Sequence, residues 1–321
     1  MSAPTPKVRV YETYQPCPPE HPKARRYLVV RDSLNITFYM RRPHSEVRHA
    51  VAHALEVYRQ AVGQRKLTCY ATPSGDWQDL DDAGWAFIRK ELLQPEGANV
   101  LLREHATVEP GHAFVHLGMG EGTPGNGWFP DEASAVSFWL PTEALEERGP
   151  GWLRALALEL GGGLPFNSGH AGLFLLSSFD PMAHAEARAA CLAYPGLDLL
   201  NVDEVASRIG TRVKGAHWLT FLGQPVLGEL GGAAGLRSRL RSPDTTLQEM
   251  GGDRVVVTLG QQPEAGDSEP GRSLAPYREL ARVLEPWLYR ERAPWTGFTE
   301  DDMRRWERRL LDEPPEKAVP E

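Results

Sequence analysis

His49 and His53 stand four residues apart in a stretch patterned as a helix, a spacing that turns two imidazoles toward one cation. A zinc-hydrolase motif of this kind needs a glutamate directly after the first histidine, and the chain has Ala50 there. With no third ligand nearby, the pair reads as ordinary surface or half-buried histidines. His112 and His116 share a face of a strand-like run but lack a Cys or carboxylate partner close in sequence, so no metal site is expected. Gly120-Glu121-Gly122-Thr123-Pro124-Gly125 has the letters of a dinucleotide fingerprint. Pro124, Glu121 and the following Asn126-Gly127-Trp128-Phe129-Pro130 are unsuited to opening the helix whose N-terminus would hold a pyrophosphate, so this reads as a surface loop and no cofactor is expected. Neither GxxxxGK[ST] nor GxSxG occurs, and Ser168-Gly169-His170 sets serine and histidine too close for a hydrolase pair. Each lysine (Lys7, Lys23, Lys66, Lys90, Lys214, Lys317) lacks an acidic residue two positions before it, which excludes a D/E-x-K nuclease.

The elements that would position any site belong to a chain of 321 residues with 41% hydrophobic and 24% charged residues, an ordinary globular balance with enough length for a large core. Cys17, Cys69 and Cys191 are odd in number, far apart and without a CxxC pair, which points to a reducing compartment rather than a disulfide framework. The start of the chain shows no basic segment followed by an apolar run, and no stretch approaches a membrane span, so a cytoplasmic protein without membrane contact is expected. The sequon Asn35-Ile36-Thr37 lies in a strand-like run and carries no weight without a secretory signal. A net charge of −8 disfavours direct nucleic-acid binding and leaves room for a basic partner.

Along the chain, residues 1–25 read as an extended arm with one short strand near Val8–Tyr11, and two β-rich runs follow in Arg26–Arg41. A helix from Pro43 to Val62 buries Val47, Val51, Ala54, Leu55 and Tyr58. Strands are expected at Leu67–Ala71, Val100–His105, Ala113–Leu117 and Ala135–Leu140. Helices are expected at Asp79–Leu93, with Asp79, Asp81 and Asp82 at the positive end of its dipole, and at Trp152–Leu160, stopped by Gly161 to Gly163. In the second half, GLFLLSS reads as a strand, Met182–Leu192 as a helix, VKGAHWLTFLG as a buried strand with a tight turn, and Arg254–Leu259 as a strand. Short helices at Asp203–Ile209, Pro225–Leu230 and Leu236–Arg241 and a longer one at Ser273–Trp287 complete it. Beyond Pro294, Thr299 caps a last helix with Met303, Trp306 and Leu310 as its stripe. FYMRRPHSEVRHAV and FLLSSFDPMAHAEA hint at a duplicated strand-Pro-helix unit. The expected fold is α+β or α/β, a mixed sheet flanked by helices, with residues 26–290 as the main domain and 291–321 as a C-terminal helical extension and disordered tail.

Four ordered segments carry a resemblance: LALELGGGLPFNSGHAGLFL, AYPGLDL, RIGTRVKGAHWLTFLG with GELGG after it, and SLAPYRELARVLEP. They resemble the type VI secretion immunity family, the TsiV-like family, over about Tyr27 to Glu285, leaving the N-terminal arm and the helix after Pro294 outside the pattern. The resemblance implies an immunity protein, not an enzyme, that binds and neutralises a cognate effector toxin, a nuclease of the VRR type, by blocking its active or substrate-binding surface. Among the family-motif residues Gly169, His170, Pro195, Gly196, Asp198, Lys214, Gly215, Trp218, Phe221 and Tyr277, a structural role is the expectation, with Lys214 and His217 equally compatible with burial or exposure. For partner contact the expectation falls on Asp76, Trp77, Asp79, Asp81, Asp82 and Trp85, because a groove built for phosphates is basic. The bland reading of those acids is a solvated helix start. The rival functions are a hydrolase or transferase using His170, Asp180 and His184, and an adaptor that loads the effector; oligomeric state stays open.

Overall fold

The computed structural model describes residues 7–14, 25–105, 111–120, 130–177, 181–266, 274–295 and 297–312. The chain enters through strand β1 (Arg9–Tyr14) and strand β2 (Arg25–Met40), followed by helix α1 (His44–Val62). Next come β3 (Cys69–Ala71), β4 (Trp77–Asp79), α2 (Asp82–Leu93), β5 (Ala98–Arg103), β6 (Ala113–Gly118), β7 (Ser134–Pro141) and α3 (Glu143–Gly162). The second half contains β8 (Ser168–Ser177), α4 (Pro181–Ala193), β9 (Asp198–Leu199), α5 (Val202–Ala206), β10 (Leu219–Leu222), α6 (Val226–Glu229) and α7 (Gly232–Arg239). It closes with β11 (Thr245–Glu249), β12 (Val255–Leu259), α8 (Ala275–Leu284) and α9 (Glu300–Arg308).

These strands form one sheet of order β11-β12-β10-β8-β2-β7-β6-β5-β3-β4, with β1 added to β2 and β9 to β8. All its pairings are antiparallel except β8 with β9, so the fold is α+β, and the mixed character rests on that one short parallel pair. The two expected runs in Arg26–Arg41 are a single strand of 16 residues, the sheet's central member. Its even positions Leu34, Ile36, Phe38 and Met40 are fully buried in the main apolar core. Helix α1 packs on that face through Tyr58 against Phe138, and α3 brings Gly161 against Phe38. Its odd positions Asn35 and Thr37 are equally buried, on the opposite face, where alternation sets them beside Ser137 and His170.

Several boundaries move for identifiable reasons. Asp81, not Asp79, starts α2: its side chain accepts from the Gly84 amide at 2.8 Å, while Asp79 lies in edge strand β4. Helix α3 begins at Glu143 rather than Trp152 and is broken at Gly149, just before Pro150. The run before Leu219 is irregular, with only Leu219–Leu222 in strand, and the polar edge strand β11 was not foreseen. The strands of the two similar strand-Pro-helix segments, β2 and β8, lie side by side in antiparallel register. At the N-terminus β1 is fixed by Arg9, which bonds Asp32 and Glu143, the latter at 2.9 Å. Thr299 and Asp302 form a reciprocal capping box on α9.

Candidate functional site

The family-motif segments meet on the polar face of the sheet in a buried ionic knot. Parallel strand β9 delivers Asp198, 1% exposed, and the irregular stretch before β10 delivers Lys214 and His217. His217 Nε2 lies 2.7 Å from the Asp198 carboxylate, and its Nδ1 lies 3.1 Å from the Gly215 carbonyl. Lys214 Nζ lies 3.9 Å from Asp198 and 3.5 Å from Glu291, and Arg309 reaches Asp198 at 3.3 Å. Burial would raise the Asp198 carboxyl, but Lys214, Arg309 and His217 outweigh it and hold the group well below the usual carboxylate range.

Aromatic rings close around this charge. Lys214 Nζ lies 5.0 Å from the ring centre of Trp306, 5.6 Å from Trp295 and 5.7 Å from Tyr289. His170, Phe174 and His217 pack against one another with ring centres 4.6 to 5.2 Å apart, and His170 Nε2 lies 3.1 Å from the Asn35 side-chain oxygen. Burial first, and the neighbouring His217 second, keep His170 well below its ordinary range and therefore neutral. A polar relay continues from Asn35 to Thr37 at 2.7 Å and to Ser137 at 2.8 Å.

The other motif residues hold the loops that carry this knot. Gly196 donates its amide to Ala265 at 2.7 Å; a Cβ there would stand 2.1 Å from the Glu264 carbonyl, so the approach demands glycine. Tyr277 fixes the same loop by accepting from the Glu264 amide at 3.2 Å, and the Pro195 carbonyl accepts from Arg309 at 3.0 Å. Gly169 gives Phe38 its place, and Phe38 packs edge-on against Phe221 at 4.9 Å. Trp218 is 1% exposed. A cavity of about 30 Å³ adjoins the knot, lined by Lys214, Tyr289, Glu291, Trp306, Glu307 and Arg309 among others, room on the scale of a water molecule. A wider cleft of about 330 Å³ beside Arg42, Phe166, Asn167, Gln224 and Arg254 has no carboxylate, imidazole or thiol in its lining.

The six residues expected at a partner surface lie at the β4 end of the sheet but do not share one face. Asp76, Asp79, Asp81 and Asp82 are exposed and make no ion pair among the described residues. Trp77 and Asp79 point to one side of β4, whereas Trp85 sits on α2 across the sheet, its ring 3.7 Å from the Arg59 guanidinium. Trp306 is buried at 3% and offers no free surface.

The histidine pairs resolve differently from their spacing. His49 and His53 are exposed, and His116 instead meets His44 at 3.0 Å. Burial and then His44 push His116 down to about 3. His112 has a carboxylate partner after all, Glu104 at 2.7 Å, supplied by a neighbouring strand end that sequence distance concealed. Of the rival catalytic set, His170 is 1% exposed; Asp180 and the His184 side chain lie outside the described residues. Among the described residues no group of three His, Cys, Asp or Glu could hold a metal ion, and no helix is long and apolar enough to cross a membrane.

Residues 50–310 match the family model described as type VI immunity for VRR-NUC. The match runs through α9, so the helix after Pro294 belongs to the family pattern, contrary to the sequence expectation. A solved structure, the Pseudomonas aeruginosa T6SS protein PA0821, aligns with a TM-score of 0.73 over 89% of this chain and 85% of that one. At 21% identity the likeness concerns the fold. A search of curated proteins finds no match.

Proposed function

We propose how protection is achieved by this chain, which belongs to the type VI immunity family for VRR-NUC: it binds the nuclease domain of a cognate effector one to one, in the cytoplasm, and covers the substrate groove without chemistry of its own. The observation that carries this reading is the contrast between its two sets of charges. The knot's charges are neutralised among themselves, sealed from solvent and adjoin a cavity too small for an organic substrate. Such an arrangement supports a structural role for Asp198, Lys214, His217 and the glycines around them. The four aspartates at the β4 end are solvated and unpaired among the described residues, which suits a surface held ready for a basic partner. We place the contact there, with Asp76, Trp77, Asp79, Asp81 and Asp82 as candidates, and leave out Trp85, whose ring is covered by Arg59 on the other side of the sheet.

Titration of the effector encoded by the neighbouring reading frame tests the reading. Nuclease activity should fall in proportion to added protein and vanish at one chain per effector, and co-expression should rescue cells from the toxin. Inactivation by a small fraction of an equivalent would identify a catalyst and overturn the proposal. Binding that leaves the nuclease active would point to a loading adaptor instead.

A further inference from the structure

Resting on that reading, we infer that the effector docks on the uncovered face of the sheet over β5, β3 and β4, the side away from α2. Register defines this face. Ala71 is opposite Trp77, Cys69 is opposite both Asp79 and Arg103, and Leu101 is opposite Val115, so alternation sets Ala71, Trp77, Asp79, Asn99, Leu101 and Arg103 on one side. The other side of the same strands is already filled. Leu102 is fully buried there, and Tyr70 packs on Phe87 of α2 with ring centres 5.4 Å apart.

The uncovered side has the composition of a recognition surface. Ala71, Trp77 and Leu101 are half-exposed and Asn99 and Asp79 exposed, and neither Trp77 nor Leu101 joins an apolar cluster of the core. Trp77 is held ready by the Arg103 guanidinium 5.1 Å from its ring centre, which reduces the ordering cost of using it as an anchor. Asp79 stands on this face, and Asp76, Asp81 and Asp82 flank β4 in the chain, exposed and with no ion-pair partner among the described residues. An apolar floor with one fixed indole and an acidic rim fits the lysine- and arginine-rich rim of a nuclease groove, where the rim charges steer encounter and the floor receives an apolar side chain. Trp85 is on the far side, its ring already covered by Arg59 of α1, so the face predicts that it takes no part.

The experiment is calorimetric titration of the isolated nuclease domain of the adjacent effector into wild-type protein and four variants. Trp77→Ala should weaken binding about 30-fold or more, the scale of a hot spot. Asn99→Arg, at an exposed position where folding has little at stake, should weaken it about 10-fold or more by placing a cation against the basic rim. Leu101→Glu should weaken it further, provided its thermal melt matches wild type; Asn99→Arg keeps the test decisive if it does not. Trp85→Ala should bind within about threefold of wild type. Tight wild-type binding with Trp77→Ala and Asn99→Arg both unaffected would overturn this docking face and leave the immunity reading intact. No binding by wild type would overturn both.

Discussion

Asp198→Asn isolates the one acid that three basic groups share. The substitution preserves shape and the short bond from the Leu199 amide, 2.7 Å, but removes the charge facing His217 at 2.7 Å, Arg309 at 3.3 Å and Lys214 at 3.9 Å. Lys214 keeps Glu291, whereas Arg309 and His217 lose the carboxylate they face. Removing one member of a buried ion pair generally costs about 3–5 kcal/mol, because the remaining charge stays desolvated. An unfolding entropy of about 2.1 cal/mol/K per residue over 321 residues gives about 0.7 kcal/mol/K, so the melting temperature should fall by roughly 4–7 °C. Lys214→Met should cost a comparable amount: a flexible apolar chain fills the ring of Tyr289, Trp295 and Trp306, but the buried Glu291 carboxylate loses the cation it faces. Calorimetric melts at neutral pH measure both. If Asp198→Asn melts within about 1 °C of wild type, the knot does not support the fold and the structural reading of the family motif fails. The affinity for the effector, measured below the melt, should be unchanged in both variants.

Trp218→Ala should lose about 3–5 kcal/mol and much of the soluble yield, as large aromatic truncations do; a variant that melts like wild type but no longer protects would relocate Trp218 to the interface. Trp218→Phe should be far milder, because the indole nitrogen has no hydrogen-bond partner among the described residues. Acid should weaken the fold in two stages. His116, held neutral with a value near 3, takes no proton in the native state where the unfolded chain does, so stability falls by about 1.4 kcal/mol per pH unit below about 6.5, and His116→Gln should flatten urea midpoints between pH 7 and pH 5. Asp198, depressed rather than raised, supports the fold above the ordinary carboxylate range and withdraws that support only as pH falls below it. Replacing Asp79, Asp81 and Asp82 together by Asn should slow association and flatten its salt dependence with little change in dissociation, because Asn still caps α2; equal rates and equal salt slopes would remove the acidic rim from the docking surface.

Periodicity makes most of the fold legible in the sequence. The stripe Val47, Val51, Ala54, Leu55, Tyr58 is the buried face of α1, and the pairing of Thr299 with Asp302 is the cap of α9. What it missed has physical causes. Strand β11, sequence TTLQE, is half-exposed on an edge and so lacks the apolar alternation that marks a buried strand. Asp79 looked like part of a helix start because acids favour that place; it sits instead in a three-residue edge strand, where acids also serve by discouraging unwanted pairing. Polar residues at the alternate positions Asn35 and Thr37 are the ordinary mark of a solvated strand face, yet the sheet is covered on that side too and they bond to each other, to Ser137 and to His170.

The site was legible as letters but not as a constellation. Asp198, Lys214, His217, Glu291 and Arg309 come from four separate stretches of chain, and no local spacing ties a carboxylate in AYPGLDL to a guanidinium more than a hundred residues later. Burial is the step that composition alone does not supply. A lysine in a run of apolar residues is equally compatible with a solvated kink and with an enclosed cation, and the choice falls on enclosure only because α9 brings Trp306 over it and Arg309 beside its counter-ion. The family pattern therefore has to extend through α9: without that helix Lys214 would lose its closest ring and Asp198 its guanidinium partner, and the motif residues upstream would surround an open, hydrated pair. By the same logic the docking face is free to differ among relatives, since Trp77, Asn99 and Leu101 contribute nothing to the knot and substitutions there leave the fold's buried charges matched.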